Sequence, residues 1–204
     1  MPAPDSQIEF VRRAAVGFLQ ALFRRETNFA FDTTPAASKV VIIGTFPEAA
    51  KGTTTKPVLS VDIGGIVTIA RSVGNLLSPD DTKTGAIHGQ QIRGVIKVTA
   101  VSSAGGEVSY LGDRTRWLFL GFGTALQAAA RVQFIGHPML SDEMDAARLF
   151  AGDFAKSKRA RVFAQTFFMW ESAIVRPTSG GDFPGTVDEV RYMIERELES
   201  TDGD

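Results

Sequence analysis

Hydrophobic and polar positions alternate most cleanly between Ile92 and Val101, where Ile92, Gly94, Ile96, Val98 and Ala100 share one side and Arg93, Lys97 and Thr99 the other. A period of two predicts a half-buried strand. After a polar break at residues 102–107 comes Tyr110-Leu-Gly-Asp113, and from Arg114 to Ala130 the spacing turns helical, with Trp117, Leu118, Leu120, Phe122 and Leu126. That density of apolar side chains predicts a helix too apolar to lie in water. A strand feeding a buried helix places the core in residues 91–130.

Upstream, Ser6-Gln-Ile-Glu9 fits a capping box. Val11, Ala14, Ala15, Phe18, Leu19 and Leu22 follow at helical spacing, with Arg12, Arg13 and Gln20 opposite, and predict an amphipathic helix ending near Glu26. Residues 40–46 are rich in β-branched side chains and bounded by Pro35 and Pro47, which predicts a short buried strand. Residues 47–57 read as a polar loop or hairpin arm. Leu59, Val61 and Ile63 then alternate with Val58, Ser60 and Asp62 in a strand that Gly64-Gly65 breaks or bends before residues 66–69 resume it. Apolar density falls over residues 71–89, a predicted long loop.

Beyond the central unit, residues 134–140 read as a connection. Ser141 with Asp142 and Glu143 reads as a helix start, with Met144, Ala147, Leu149 and Phe150 inward. Residues 161–175 hold the longest strand pattern. Phe163, Phe167, Met169, Ala173 and Val175 fall on one face, and Val162, Ala164, Phe168, Trp170 and Ile174 on the other. Apolar residues on both faces predict a central strand in a covered sheet, or one covered by another subunit. Thr186-Val-Asp-Glu189 is a second capping box, and Val187, Val190, Met193, Ile194 and Leu198 predict a last helix over residues 186–199. The sum is an α+β fold: a mixed, mainly antiparallel sheet flanked by helices, in a single domain over residues 1–204 with extended loops at 47–57 and 71–90.

Composition narrows the chemistry. The chain has 204 residues, 44% of them hydrophobic, enough to bury a real core. Its net charge of -1 leaves no bulk electrostatic footprint for nucleic acid or an anionic membrane. The absence of cysteine excludes a disulfide framework, thiolate catalysis and cysteine-ligated zinc. Residues 1–5 lack the basic and apolar regions of a signal peptide, and no run approaches the ~18 apolar residues of a membrane span, so folding in the cytoplasm is expected.

Gly121-Phe-Gly123-Thr-Ala-Leu126 falls short of a dinucleotide fingerprint, since it sits inside a helical pattern and has Leu126 where a small residue belongs. The two glycines read instead as points of close packing on a buried helix. His88 and His137 lack metal-site spacing and read as loop histidines. Asp142, Glu143 and Asp145 form the densest acidic cluster, suited to Mg²⁺ or acid–base work, yet first-turn helix carboxylates explain them as well. No catalytic residue, cofactor or metal is therefore expected. Lys156, Lys158, Arg159 and Arg161, with Arg24 and Arg25, read as a solvated or subunit-facing basic patch.

The order of these elements resembles the tail-terminator and neck proteins of tailed bacteriophages. The resemblance rests on the N-terminal amphipathic helix, two early strands with a long polar loop, Gly94-Val-Ile-Lys-Val-Thr-Ala-Val followed by Tyr110-Leu-Gly-Asp113 and a helix, and a late aromatic strand containing Trp170. Leu111 and Asp113 match the short segment that introduces the helix in that family. The resemblance implies an α+β virion protein without catalytic residues or cofactor. It would assemble from its own copies into a ring, commonly a hexamer, that caps the tail tube, joins it to the head-side connector and adjoins neck or sheath proteins. The expected location is the virion, with no membrane and no sequence-specific nucleic acid. Candidate subunit contacts are Lys51 and Lys56 in the first loop, Arg71, Asp80 and Asp81 in the second, and Lys156, Lys158, Arg159 and Arg161. The alternatives are another virion ring, either a connector adaptor or a stopper, a small cytoplasmic enzyme using Asp142, Glu143 and Asp145 with His88 or His137, and a regulatory binding module.

Overall fold

A computed structural model describes residues 7–44, 56–69, 76–79, 86–150, 157–176 and 186–193, with side chains described at 7–44, 56–69, 91–150 and 157–170. Its elements are α1 (Gln7–Phe23), β1 (Val41–Ile43), β2 (Val58–Ile69), β3 (Leu76–Pro79), β4 (Ala86–Ser102), α2 (Gly105–Ala130), β5 (Gln133–Leu140), β6 (Met144–Asp145), β7 (Arg159–Arg176) and β8 (Thr186–Met193). The fold is α+β. Strands run in the order β1-β2-β4-β7-β5, with β3 on β4 and β6 and β8 on β7. The sheet is mixed: β1 and β2 are parallel, whereas β3–β4, β6–β7 and β7–β8 are antiparallel.

The chain divides into two compact units. The first comprises Met1–Gly64, Val95–Ala130 and Phe134–Thr166, and the second Gly65–Gly94, Arg131–Gln133 and Phe167–Asp204.

In the first unit, α1 buries Gln7, Val11, Ala15, Leu19 and Phe23, one residue in each turn. Phe119 of α2 is the centre of the core. Its ring lies 5.4 Å from Phe18, 4.4 Å from Phe163 and 6.0 Å from Phe134, measured between centroids. Edge and offset contacts of this kind add to the stabilisation from burying each ring. A smaller cluster of Val101, Ala146, Phe150 and Ala160 packs with Met144. β4 alternates as expected, with Ile92, Ile96, Val98 and Ala100 buried and Arg93 and Lys97 exposed.

The second unit holds the remaining parts of the long strands. β2 continues through Gly64-Gly65, and Gly65 takes φ +63, so the glycines bend the strand without ending it. A Cβ on Gly94 would fall 2.6 Å from the buried Phe167 ring, so the ring lies over β4 where only glycine leaves room. Ile66 and Val67 are exposed.

Five expectations are corrected. α2 begins at Gly105, not Arg114. The Ser102 hydroxyl accepts from the Ala104 amide and donates to Glu107, while Val108, Leu111 and Thr115 carry the buried stripe back through Tyr110–Asp113. The hydroxyl-closed turn before the helix and tertiary burial outweigh the cost of Gly105-Gly106 in the first turn. The long loop at 71–89 contains β3 and the start of β4, paired from Leu76↔His88 to Pro79↔Ala86. The connection at 134–140 is strand β5.

The helix expected at Ser141 is absent. The Ser141 hydroxyl accepts from the Val162 amide and donates to Asp142 O, and β6 pairs with β7, leaving one 3-10 turn at Ala146–Arg148. Bonding across to β7 takes the groups that a helix start would have used.

The last predicted helix is β8 over its described part. A register shift lies between Ile174↔Glu189 and Val175↔Val187, so Asp188 is an extra residue. Val187, Val190 and Tyr192 thereby take Val175, Ala173 and Glu171, alternate positions of β7, as partners. The bulge creates a three-residue spacing between two valines that mimics a helix.

Candidate assembly surface

The helical repeat of α2 gives it two unlike sides. Val108, Leu111, Thr115, Leu118, Phe119, Gly123, Leu126 and Ala130 are buried. Trp117, Leu120 and Phe122 are 65%, 46% and 52% exposed, which corrects the expectation that they are buried. The glycine pair divides in the same way. A Cβ on Gly123 would come within 3.2 Å of Phe134, whereas one on Gly121 would meet open space. Gly123 is a point of close packing and Gly121 is not. On β5, Met139 is likewise 64% exposed.

Two charged anchors hold α2. In its first half, Glu26 accepts from Arg114 Nε at 2.7 Å and from Tyr110 Oη at 3.3 Å, with Arg114 Nη2 at 2.6 Å. The Glu26 side chain is only 9% exposed, so this carboxylate ties the end of α1 to α2. Burial, reinforced by the Glu26 charge and hydrogen bond, raises the Tyr110 pKa.

Near the start of α2, Glu143 accepts from Arg159 Nε at 2.8 Å and from Ser109 Oγ at 3.1 Å, and Asp145 accepts from Arg159 Nη1 at 2.6 Å. The Arg159 hydrogen bond, helped by that of Ser109, holds the Glu143 carboxyl below its ordinary value of 4.5. The same bond raises the pKa of Arg159. Arg161 donates to the Ser141 and Ser109 carbonyls and lies 3.2 Å from Asp113. The acidic cluster therefore meets arginine, and its carboxylates do not start a helix. Asp142 is exposed.

The sequence-derived contact residues are placed as follows. Lys56 gives its ammonium to the carbonyls of Pro35, Ala36 and Ser38 at 2.7, 3.3 and 2.6 Å, beside a cavity of about 420 Å³ lined in part by Phe31, Val40 and Ile42. Lys158 is half-buried, which lowers its pKa by desolvation. Arg159 and Arg161 are held in the pairs above. Lys51, Arg71, Asp80, Asp81 and Lys156 lie outside the described residues. His137 is exposed on β5, and His88 lies on β4 opposite Leu76. Among the described residues no group of three His, Cys, Asp or Glu side chains is placed to hold a metal ion. No described helix is long and apolar enough to cross a membrane.

The structure also assigns roles that spacing did not reveal. Arg12 and Gln20, expected opposite the buried face of α1, turn to β1. Arg12 Nη1 donates to Gly44 O at 2.9 Å and Gln20 Nε2 to Ile42 O at 3.1 Å. At β5, Gln127 Oε1 of α2 accepts from the Phe134 amide at 2.8 Å, and buried Gln165 of β7 donates to Ile135 O at 3.2 Å. Polar residues one or two turns apart on an apolar helix gave a weak sign of such contacts, but their partners are distant in sequence. Compared with family models and with curated proteins, the chain finds no match.

Proposed function

We propose that the chain is a structural virion subunit, a tail-terminator or neck-ring protein that caps a tail tube and joins it to the head-side connector. The exposed apolar side of α2 carries this reading. Trp117 and Leu120, exposed one turn apart on the side of α2 away from Leu126, are the kind of apolar pair that marks a protein contact. The sheet with packed helices agrees with the architecture that the phage resemblance implies. A closed ring of identical copies, a hexamer in that family, gives each apolar patch a neighbour. The function is assembly geometry, without cofactor or catalysis.

The test is sedimentation velocity and negative-stain imaging of the purified protein over a concentration series, alone and with tail-tube or connector subunits. Closed rings seated on tube ends are expected. Rings that bind only the connector move the assignment to an adaptor or stopper, and a monomer in every mixture overturns the ring.

A further inference from the structure

A sheet edge offers unpaired amides and carbonyls to any other strand, including one from a second copy of the chain. β1 and β5 are the ends of the strand path, and both are occupied from the side by helix residues. Val41 N donates to Pro57 O, so Val41 faces β2, and alternation turns the backbone groups of Ile42 and Gly44 outward. Those two outward carbonyls accept from Gln20 and Arg12. The Arg12 stem also lies against Gly44, where a Cβ would sit 3.4 Å from its Cδ.

At the opposite end, Ser141 N donates to Val162 O of β7, so the even positions just before it turn outward. Pro138 brings no amide hydrogen to that edge, Gly136 breaks the extended line with φ +66, and the Phe134 amide is taken by Gln127. Proline, a local irregularity and a covering helix are three independent ways to close an edge, and β5 uses all three.

We infer that Arg12, Gln20 and Gln127 are edge guards: they occupy outward backbone groups of β1 and β5 and keep copies of this chain from joining by strand addition at those two edges. The inference does not depend on the ring.

Arg12→Met with Gln20→Met keeps the stems and removes the donors. The association constant of the folded variant should rise about tenfold, the equivalent of ~1.4 kcal/mol. Sedimentation velocity reads the oligomer, and hydrogen exchange should show new protection of the Ile42 and Gly44 amides in it. Gln20→Lys, which retains a donor, should sediment as the parent does. If the double variant does not fold, Gln20→Met alone at β1 and Gln127→Met at β5 carry the same readout, with protection sought at Phe134 for the latter. Folded variants that associate no more than the parent, or that associate without protecting those amides, overturn the guard role. A parent that forms no ring leaves this result unaffected.

Discussion

α1 and α2 meet in one aromatic core, yet they treat water differently. Below Phe10 in its first turns, α1 exposes Arg13, Gly17 and Ala21, and its Arg12 and Gln20 bind the backbone of β1. α2 exposes Trp117 and Leu120 on a helix whose other side is already filled by Phe119, Gly123 and Leu126. Folding the chain accounts for the buried apolar residues on the inner side of each helix. It leaves Trp117 and Leu120 on the outer side of α2 without a folding role, a larger surplus than Phe10 alone on α1.

If the inner side of α2 serves folding and the outer side serves contact, substitutions on the two sides must act on different measurements. Phe119→Ala removes the ring shared by Phe18, Phe134 and Phe163 and should lower unfolding free energy by about 3–5 kcal/mol in denaturant titration. A loss below 1 kcal/mol would mean that the core does not depend on this ring. Glu26→Gln tests the tie between the helices. It weakens three contacts to Arg114 and Tyr110 and should cost about 1–3 kcal/mol, reduced by the partial exposure of Arg114. The Tyr110 pKa, read by ultraviolet titration, should fall toward its ordinary value of 10.0 as the neighbouring charge is lost.

Trp117→Lys with Leu120→Lys should leave monomer stability within ~0.5 kcal/mol and abolish assembly. Equal loss of both properties would erase the distinction between the two sides. The smallest effect is expected at Glu143→Gln. Because the folded-state pKa of Glu143 is depressed, the stability it contributes is present above its ordinary value of 4.5 and is lost as pH falls through the folded value. Melting curves of the parent and the variant should therefore converge under acid and separate toward neutrality.

The division between legible and illegible features follows the range of the forces. β4 and β7 could be read because alternation and burial agree over many residues, as Ile92 to Ala100 and Phe163 to Met169 show. α1 could be read for the same reason at helical spacing. β8 could not, because a one-residue bulge at Asp188 gave Val187 and Val190 helical spacing. Ser141 offered cap chemistry that a distant strand used in another way. At the candidate surface, apolar content was legible, but which of Trp117, Leu118, Phe119 and Leu120 faced inward depended on where the sheet and α1 lie. Arg159 was singled out as a basic contact; only the fold shows that Glu143 and Asp145 already hold it.

Lys56 has a chemical consequence of its own. An amine meets an acylating reagent only when its nitrogen is free to approach it, and the Lys56 nitrogen is engaged by three main-chain carbonyls. Lys97, exposed on β4, should react faster with an amine-directed ester, so mass mapping of early adducts will find Lys56 underlabelled. The same carbonyls that fasten residues 35–38 to the start of β2 hold this nitrogen away from the reagent, and its labelling rate reports whether that fastening is intact.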